Sequence, residues 1–344
     1  MLRYGWNATA YQILNPGMHL WFSRENDAVA GFVRFRSTRV VAGAPVCAGS
    51  RLESVVSEME ADARRNDESV LYFGAGSRLD QIRAAGTGHT GVRIGAQPVW
   101  NPHQWQHIVS GKGSLRAQLN RARNKGVVVE ECSETSSSLI AELRDVLEEW
   151  LSFRGLPPLG FLVTPNLFDN LVDRRLFVAR QDGNAIAFLV ATPVPARNGW
   201  LVEEWPRKQD APNGTTHLLV DAAMRAFARA GAQYATLGLA PLSNRAGNVA
   251  EDQPAWLQLV LRWLRAHGTR FYNFRGLDAF KAGMMPHEWE PIYVIAQGSS
   301  FPPHALRTIA GAFSNGSPEW LVARGVASAA RSEWQHFLRR LKRS

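Results

Sequence analysis

Short apolar segments alternate with amphipathic segments along most of this 344-residue chain, and the alternation runs through twice. Short apolar runs bounded by turn residues are typical of strands, whereas apolar positions recurring every three or four residues are typical of helices. Two runs of the same alternation predict an α/β (α+β) fold of two similar domains. We expect these domains at residues 1–132 and 139–300, separated by the Ser/Thr/Glu-rich residues 133–138 and followed by a helical tail at residues 301–344.

Individual strands and helices can be assigned from the same patterns. The first half predicts strands at residues 18–22, 29–36, 40–46, 70–74 and 127–132, and helices at 51–65 and within 103–125. The second half predicts helices at residues 139–153, 215–230 and 255–267, and strands at 176–180, 185–193, 200–205, 234–239, 271–274 and 291–296. Asp182 and Gly183 separate two of these strands, and this dipeptide favours a tight hairpin turn.

Charge and composition restrict the classes of function. The chain has 39 Lys and Arg against 30 Asp and Glu, a net charge of +9, which favours anionic partners such as nucleic acid, anionic lipid headgroups or phosphorylated metabolites. Two cysteines are too few for a disulfide framework. The sequence has no run of about 20 apolar residues and no recognisable export signal, so we expect no membrane span and a cytoplasmic location.

Two basic segments are candidates for contact with anions. In residues 111–126, Leu115 and Leu119 share one helix face, and four candidate anion-binding residues surround it: Lys112, Arg116, Arg121 and Arg123. The tail predicts a second basic amphipathic helix, whose apolar face consists of Trp334, Phe337, Leu338 and Leu341. Such a helix suits an anionic membrane surface or an RNA backbone, and it equally suits a docking helix whose charged face is solvated.

Several common catalytic arrangements are missing from the sequence. It contains no CxxC, HExxH or P-loop motif, and the pair His103 and His107 has no third ligand at a suitable spacing. Gly74 and Gly76 follow a predicted strand but lack the third glycine of a dinucleotide-binding loop, so they predict a turn. We therefore expect neither a metal nor a cofactor.

Three segments contain more polar and aromatic residues than the packing of a core requires. A strand ending in Glu203, Glu204 and Arg207 precedes a Pro/Gly turn and a helix that begins near Thr215, and the free N–H groups of such a helix suit an anionic or carbonyl oxygen. The alternative is a charged surface loop. The other two segments are residues 237–243, which end at Ser243, and residues 271–281 with the aromatic residues 289–293.

The order and spacing of motifs in these segments resemble those of one known family. The motifs are Gly-Ala-Pro-Val at 43–46, the basic helix 116–126, Glu-Trp-Leu at 149–151, Glu-x-x-Arg at 204–207, Ala-Pro-Asn-Gly at 211–214, Leu-Gly-Leu-Ala-Pro-Leu-Ser at 237–243, Tyr-Asn-Phe-x-Gly-Leu-x-x-Phe-Lys at 272–281 and Trp-Glu-Pro-x-Tyr at 289–293. Over nearly its whole length, the chain resembles the cytosolic synthase domain of the aminoacyl-phosphatidylglycerol synthases, also called phosphatidylglycerol lysyltransferases.

The resemblance implies two tandem acyltransferase domains of the GNAT type. It also implies transfer of an aminoacyl group from aminoacyl-tRNA, as co-substrate, to a hydroxyl of phosphatidylglycerol or of a related lipid or small acceptor, without a cofactor. The basic helix at 111–126 would then contact tRNA. The apolar face of the tail helix would place the enzyme at the inner face of the membrane.

The resemblance also assigns roles to individual residues. It places Glu204 and Arg207 at the ammonium of the aminoacyl group and the reaction centre, and Lys281 and Glu290 at later functional positions. Four further residues are candidates for substrate binding: Asn213, Ser243, Tyr272 and Tyr293. The family pattern has Asp where this chain has Glu204, which changes the depth of the amino-acid pocket, and full-length members carry a multi-spanning membrane domain ahead of the synthase.

Two alternatives stay open at this point. The first is an acyl-CoA-dependent N-acyltransferase of the same fold, although residues 209–214 contain a proline and a single glycine where that class has a glycine-rich pyrophosphate loop. The second is a non-catalytic RNA- or membrane-binding protein. His217, just inside the helix after Gly214, is a candidate general base, with a packing role as its alternative.

Overall fold

The strands of the chain form one mixed sheet. The computed structural model describes residues 1–133, 135–153, 160–162, 168, 170–247 and 274–314. The strands are β1 His19–Phe22, β2 Val29–Phe35, β3 Thr38–Ala42, β4 Ser69–Ala75, β5 His89–Trp100, β6 Val128–Cys132, β7 Arg175–Gln181, β8 Asn184–Val194, β9 Gly199–Glu204, β10 Tyr234–Thr236, β11 Ala240–Pro241 and β12 Glu288–Gln297. Their order in the sheet is β1-β2-β3-β4-β12-β5-β10-β9-β8-β7-β6, and β11 also pairs with β5.

Eight α-helices flank this sheet in the described residues. They are α1 Leu52–Arg65, α2 Ser77–Ala84, α3 Trp105–Gly111, α4 Gly113–Arg123, α5 Ser137–Phe153, α6 Thr215–Arg229, α7 Phe274–Gly283 and α8 Ala305–Phe313. A 3₁₀ helix at Ala8–Leu14 precedes the first strand. None of the described helices is long and apolar enough to cross a membrane.

The same structural unit occurs twice. Strands β1, β2 and β3 are antiparallel, and α1 then connects β3 to the parallel strand β4. Strands β7, β8 and β9 are likewise antiparallel, and α6 connects β9 to the parallel strand β10. This repeat confirms the predicted α/β fold and the predicted repetition of one strand-and-helix unit.

Strand β12 joins the two units. It is the last strand in the described part of the chain, but it pairs with β4 on one side and with β5 on the other. Strand β5 pairs in turn with β10 of the second unit. Residues 133–138, where the sequence predicts a domain boundary, lie between β6 and the start of α5. The division into domains stays a prediction.

Most predicted elements are present, with differences at their ends. Asp182 and Gly183 have φ angles of 50° and 83° and form the predicted turn between β7 and β8. The strand predicted at 40–46 ends at Ala42 because Gly43 has a φ of 71°. The strand predicted at 234–239 ends at Thr236, two residues before Gly238, whose φ is 70°. Each glycine adopts a left-handed conformation that no regular strand contains.

Strand β5 and helix α2 are absent from the sequence predictions. The sequence of β5 contains Gly91, Gly95 and Pro98. Glycine and proline are poor strand formers, so the pattern does not predict a strand there. The structure explains Gly95, since a Cβ atom there would overlap the carbonyl oxygen of Ala240 in β11. The glycine allows two backbones to approach closely.

Three predicted elements lie wholly or partly outside the described residues. Phe274, predicted as the end of a strand at 271–274, begins helix α7 instead, and residues 271–273 lie outside the described residues. The helix predicted at 255–267 and the tail helix with Trp334, Phe337, Leu338 and Leu341 also lie outside them. Helix α8 lies in the described part of the predicted helical tail.

Candidate functional site

A cavity of about 520 Å³ lies where the two units meet. We call it the main cavity. The ends of β4 and β9, the 3₁₀ helix, α7 and β12 all contribute to its walls. Its walls are largely apolar, and the aromatic residues among them are Trp6, Phe73, Trp150, Trp205, Phe274 and Phe313. A cavity with apolar walls and a few charged groups is the usual form of a small-molecule site.

Two consecutive glutamates at the end of β9, Glu203 and Glu204, line this cavity. The side chain of Glu203 is 7% exposed, and its Oε2 lies 3.6 Å from Nη1 of Arg174, whose side chain is 3% exposed. Burial raises the pKa of Glu203, and the positive charge of Arg174 opposes that rise. The end of β9 thus presents two carboxylates to the same cavity.

A buried lysine on α7 faces them. The Nζ atom of Lys281 donates hydrogen bonds to the carbonyl oxygens of Gly238 and Leu239, at 2.9 and 2.8 Å. Burial lowers the pKa of Lys281 to about 7, although Asp278 and Glu204 favour its charged form. Burial therefore favours the neutral amine of Lys281, which is the form that can accept a proton.

The third carboxylate of the cavity, Glu290 on β12, is held by an arginine. Nη1 and Nη2 of Arg197 donate to the two carboxylate oxygens of Glu290 at 2.8 and 2.6 Å. The guanidinium of Arg197 stacks on the ring of Tyr234 at 3.7 Å, and the hydroxyl of Tyr234 accepts a hydrogen bond from Gln97. This paired geometry fixes the position of Glu290.

A second cavity, of about 420 Å³, opens at the N-terminus of α6. Its walls include Arg121 of α4, Arg207, Asn213 and His217. Gly214, the N-cap of α6, has a φ of 98° and contacts α4 so closely that a Cβ atom would overlap the carbonyl oxygen of Gln118. Two arginines and the N–H groups of a helix N-terminus together favour an anion at this place.

The two cavities are lined by consecutive residues of α7. Phe280 of α7 lines the second cavity and Lys281, the next residue, lines the main cavity. The ring of Phe280 stacks on Trp205, which lines the main cavity, at a centroid distance of 6.2 Å. The ring of His217 meets Phe280 edge-on at 5.0 Å, and burial lowers the pKa of His217.

Comparison with known proteins identifies the family. The model of the family described as phosphatidylglycerol lysyltransferase, C-terminal, matches residues 1–296. The chain belongs to this family. It is an aminoacyltransferase family, so this membership confirms the resemblance that the motifs indicated and the enzyme class they implied. A comparison with curated proteins finds no match.

Solved structures share the fold of the chain. The C-terminal domain of a protein described as a lysylphosphatidylglycerol synthetase from Agrobacterium fabrum is 23% identical, with a TM-score of 0.76, over 90% of this chain and 93% of that one. L-PGS from Bacillus licheniformis is 21% identical, with a TM-score of 0.75, over 94% of each chain. FemX is 10% identical, with a TM-score of 0.55, over 84% of this chain and 94% of its own.

The predicted catalytic residues of this family member divide between the two cavities. Glu204, Lys281 and Glu290 line the main cavity, whereas Arg207 and the predicted substrate-binding residue Asn213 line the second. Arg207 and Asn213 are both exposed. Arg207 thus lines a different cavity from the other three predicted catalytic residues.

The remaining predicted substrate-binding residues have other surroundings. The hydroxyl of Ser243 donates to Asp278 at 2.6 Å, and Asp278 also pairs with Arg245. Tyr293 packs against the core of the first unit, where burial and the nearby Asp80 raise its pKa. Tyr272 lies outside the described residues. The assignment of these three residues to substrate binding stays a prediction.

The four basic residues predicted to bind an anion also differ in their surroundings. Arg121 lines the second cavity, and Lys112 lies between α3 and α4. Arg116 donates to the carbonyl oxygens of Val109 and Ser110 at the end of α3. Arg123 pairs with the buried Asp221 at 3.1 Å. Arg121 is thus the one of the four that faces the second cavity.

Two charged residues of the main cavity could not be assigned to it from the sequence. In the sequence, Glu203 is one of the charged residues at a strand end. Consecutive residues of a regular strand face opposite sides of the sheet, so the pattern does not predict that Glu203 and Glu204 line the same cavity. Arg197 lies in a three-residue 3₁₀ turn before β9 and matches none of the motifs. The ion pair of a half-buried Arg197 with Glu290 is a signal that only the tertiary structure supplies. In the described residues no group of three His, Cys, Asp or Glu side chains could hold a metal ion.

Proposed function

We propose that this chain transfers an aminoacyl group from aminoacyl-tRNA to a hydroxyl of phosphatidylglycerol or of a related lipid. The observation that carries the proposal is that the buried Lys281 and Glu204 line the same largely apolar cavity, within the part of the chain that matches the lysyltransferase family. The reaction needs no cofactor, because the ester of an aminoacyl-tRNA is already activated.

The proposed chemistry is an ester exchange. The acceptor hydroxyl attacks the carbonyl carbon of the aminoacyl ester, neutral Lys281 takes the hydroxyl proton, and a tetrahedral intermediate forms. The bond from the carbonyl carbon to the ribose oxygen of the tRNA then breaks, and Lys281 returns the proton to that oxygen. The aminoacyl group is now esterified to the acceptor, and Lys281 is neutral again.

Carboxylates of the main cavity orient the donor. We assign Glu204 to the α-ammonium of the aminoacyl group, since a carboxylate forms strong charge-assisted hydrogen bonds with an ammonium. Glu290, held by Arg197, is the second anchor for the donor. Holding the ester and the hydroxyl at a fixed separation supplies a large part of the rate acceleration, because both reactants are immobilised before the attack.

The second cavity suits the phosphates of the tRNA 3′ end. Arg121, Arg207 and the N-terminus of α6 provide positive charge there, and Phe280, which lines this cavity, stacks on Trp205 of the main cavity. Aminoacyl-tRNA occurs in the cytoplasm, so we place the reaction at the inner face of the membrane.

The test supplies purified protein with a pool of radiolabelled aminoacyl-tRNAs and vesicles that contain phosphatidylglycerol. The unsubstituted chain is expected to transfer label to the organic phase. Glu204→Gln is expected to lose this transfer, whereas Glu148→Gln is expected to keep it, because Glu148 is exposed on α5. If the label moves to a soluble extract instead, the acceptor is a small molecule and not a lipid. No transfer to either fraction would refute the proposal.

A second candidate is acyl-CoA-dependent N-acylation. It is favoured by the second cavity, because a pyrophosphate could occupy the N-terminus of α6 beside Arg121 and Arg207. The same purified protein is therefore assayed with labelled acetyl-CoA and a mixture of amines. Acetyl transfer without aminoacyl transfer would favour this candidate over the first.

A further inference from the structure

Strand β9 is irregular at Glu203. Val202 pairs with Ala191 of β8, and the next pair joins Glu204 to Val190. Strand β9 thus advances by two residues where β8 advances by one. Glu203 is therefore the extra residue of a β-bulge, and bulges are common beside functional sites, where they redirect side chains.

The bulge decides which face of the sheet carries Glu204. Val202 and its partner Ala191 belong to the core cluster that packs against α6, whereas Val190 belongs to the cluster that packs against α5. Directly paired residues project from the same face, so Glu204 lies on the face of α5. Without the extra residue, Glu204 would lie on the opposite face, because a slip of one residue turns every later side chain over.

The shifted register continues beyond the bulge as far as Arg207. Arg207 forms a bridge with Ala187, so both strands advance by three residues from the pair of Glu204 and Val190. Ala187 belongs to the cluster that packs against α6, the helix at whose N-terminus the second cavity opens. The bulge thus accounts for the division of Glu204 and Arg207 between the two cavities.

A buried ion pair holds the extra residue. Oε2 of Glu203 lies 3.6 Å from Nη1 of Arg174, and the two side chains are 7% and 3% exposed. The guanidinium of Arg174 lies over the ring of Tyr11 at 5.3 Å, and the hydroxyl of Tyr11 donates to the carbonyl oxygen of Val172. Arg174 directly precedes β7 and Tyr11 belongs to the 3₁₀ helix, so three parts of the chain meet at the bulge.

The ion pair contributes little to stability, because its contact is loose. A separation of 3.6 Å exceeds the length of a hydrogen bond, and Oε2 of Glu203 accepts no hydrogen bond from the described residues. Removing two charges from water costs more free energy than such a contact returns. The best-supported role of such pairs is to fix one register among alternatives. Here the alternatives are other positions of the extra residue along β9.

We propose that Glu203 is a positioning residue for the transfer reaction: its ion pair with Arg174 fixes the bulge of β9, and the bulge turns Glu204 into the main cavity. Glu203 acts through Glu204 and not on the donor itself. The inference rests on the proposed function in one respect, namely that Glu204 anchors the α-ammonium of the donor.

The test compares Glu203→Gln, the double variant Glu203→Gln/Arg174→Gln and Glu68→Gln in the full chain. The single variant leaves Arg174 buried without its counter-charge, so its Tm is expected to fall. The double variant removes both charges and is expected to recover most of that loss. Glu68 is a matched control, because it pairs in the first unit with Arg39, whose side chain is also 3% exposed.

Activity separates positioning from stability. The value of kcat/KM for aminoacyl transfer is expected to fall about 10- to 100-fold in both the single and the double variant, because an error of about 1 Å in the position of a binding group can cost about 100-fold in rate. Glu68→Gln is expected to retain the full rate. Recovery of kcat/KM together with Tm in the double variant would show that the ion pair is only structural, and would overturn the proposal.

A second measurement needs no substrate. The negative charge of Glu204 favours the charged form of Lys281, so the pKa of Lys281 is expected to fall when Glu204 turns away. The ¹³Cε resonance of labelled lysine, followed as the pH rises, reports this pKa in the double variant and in Glu68→Gln, which is expected to leave it unchanged.

The double variant suits this titration because it removes one positive and one negative charge together. An unchanged pKa of Lys281 in the double variant would overturn the proposal. If the unsubstituted chain transfers no aminoacyl group, the proposed function fails, while the titration still tests whether the ion pair positions Glu204.

Discussion

Single buried groups determine the chemistry of the main cavity. The amine of Lys281 is buried away from water and donates hydrogen bonds to two carbonyl oxygens, at 2.9 and 2.8 Å. These carbonyls stabilise an ammonium less well than water does, so burial lowers the pKa to about 7. In the proposed reaction, this buried side chain is the base that takes the proton of the acceptor hydroxyl.

Lys281→Met is expected to reduce kcat/KM by about 10²- to 10⁴-fold, the range typical of losing a general base. Since the neutral lysine is the active form, kcat/KM of the unsubstituted chain is expected to rise as the pH increases through about 7. The pH–rate profile measured with a soluble acceptor checks both points. A profile that is flat between about pH 6 and pH 8 would rule out Lys281 as the base.

A second buried pair lies away from both cavities. Nε2 of His89 lies 2.7 Å from Oε1 of Glu60, both side chains are nearly inaccessible, and this hydrogen bond raises the pKa of His89. A raised histidine pKa contributes stability that is present below the unfolded-state pKa and is lost as the pH rises through the folded-state value.

His89→Gln is expected to lower the free energy of unfolding by about 1–3 kcal/mol at about pH 6, because a charged hydrogen bond is lost. The loss is expected to be smaller at about pH 8, where His89 is less protonated. Urea unfolding at the two pH values measures the difference. An equal or larger loss at the higher pH would contradict the assigned role of the charge.

At the scale of elements, the junction between α4 and α6 forms the second cavity. Gly214 allows this contact for two reasons: its φ is 98°, and it leaves no side chain between α6 and the carbonyl oxygen of Gln118. Gly183, in the hairpin turn, also has a left-handed backbone, with a φ of 83°. A Cβ atom at this position, however, would meet open space.

Gly183→Ala is expected to cost about 1–2 kcal/mol, from the left-handed backbone alone. Gly214→Ala is expected to cost about 1–3 kcal/mol more, because the methyl group forces α4 and α6 apart. Thermal unfolding of the two variants measures this difference. Equal costs would show that α4 moves aside freely, and that the contact does not shape the second cavity.

At the scale of the whole molecule, the late strand β12 holds the halves together. It lies between β4 and β5 and carries Glu290 and Ile292 into the wall of the main cavity. Neither β4 nor β5 can complete its hydrogen bonds without a strand from the far end of the chain.

We therefore expect the chain to unfold in one cooperative transition, although its sequence contains two similar units. Differential scanning calorimetry is expected to give a calorimetric enthalpy equal to the van't Hoff enthalpy. Two resolved transitions, each with the amplitude of one unit, would instead support independent domains at 1–132 and 139–300.

The sequence by itself determined the repeated alternation of strands and helices, the hairpin turn at Asp182 and Gly183, and the family motifs. These features depend on local backbone preferences and on spacing, which can be read in order along the chain. It also indicated Glu204, Lys281 and Glu290 as candidates, through the motifs that surround them.

Only the tertiary structure decided which residues of the site contact one another. Arg197 and Glu290 are 93 positions apart, and Gly238 approaches Lys281 across 43 positions. Strand β5, with Gly91, Gly95 and Pro98, is a strand because its neighbours β12 and β10 complete its hydrogen bonds and not because of its own propensity. Contacts across such separations depend on the packing of the whole chain, and no local pattern encodes them.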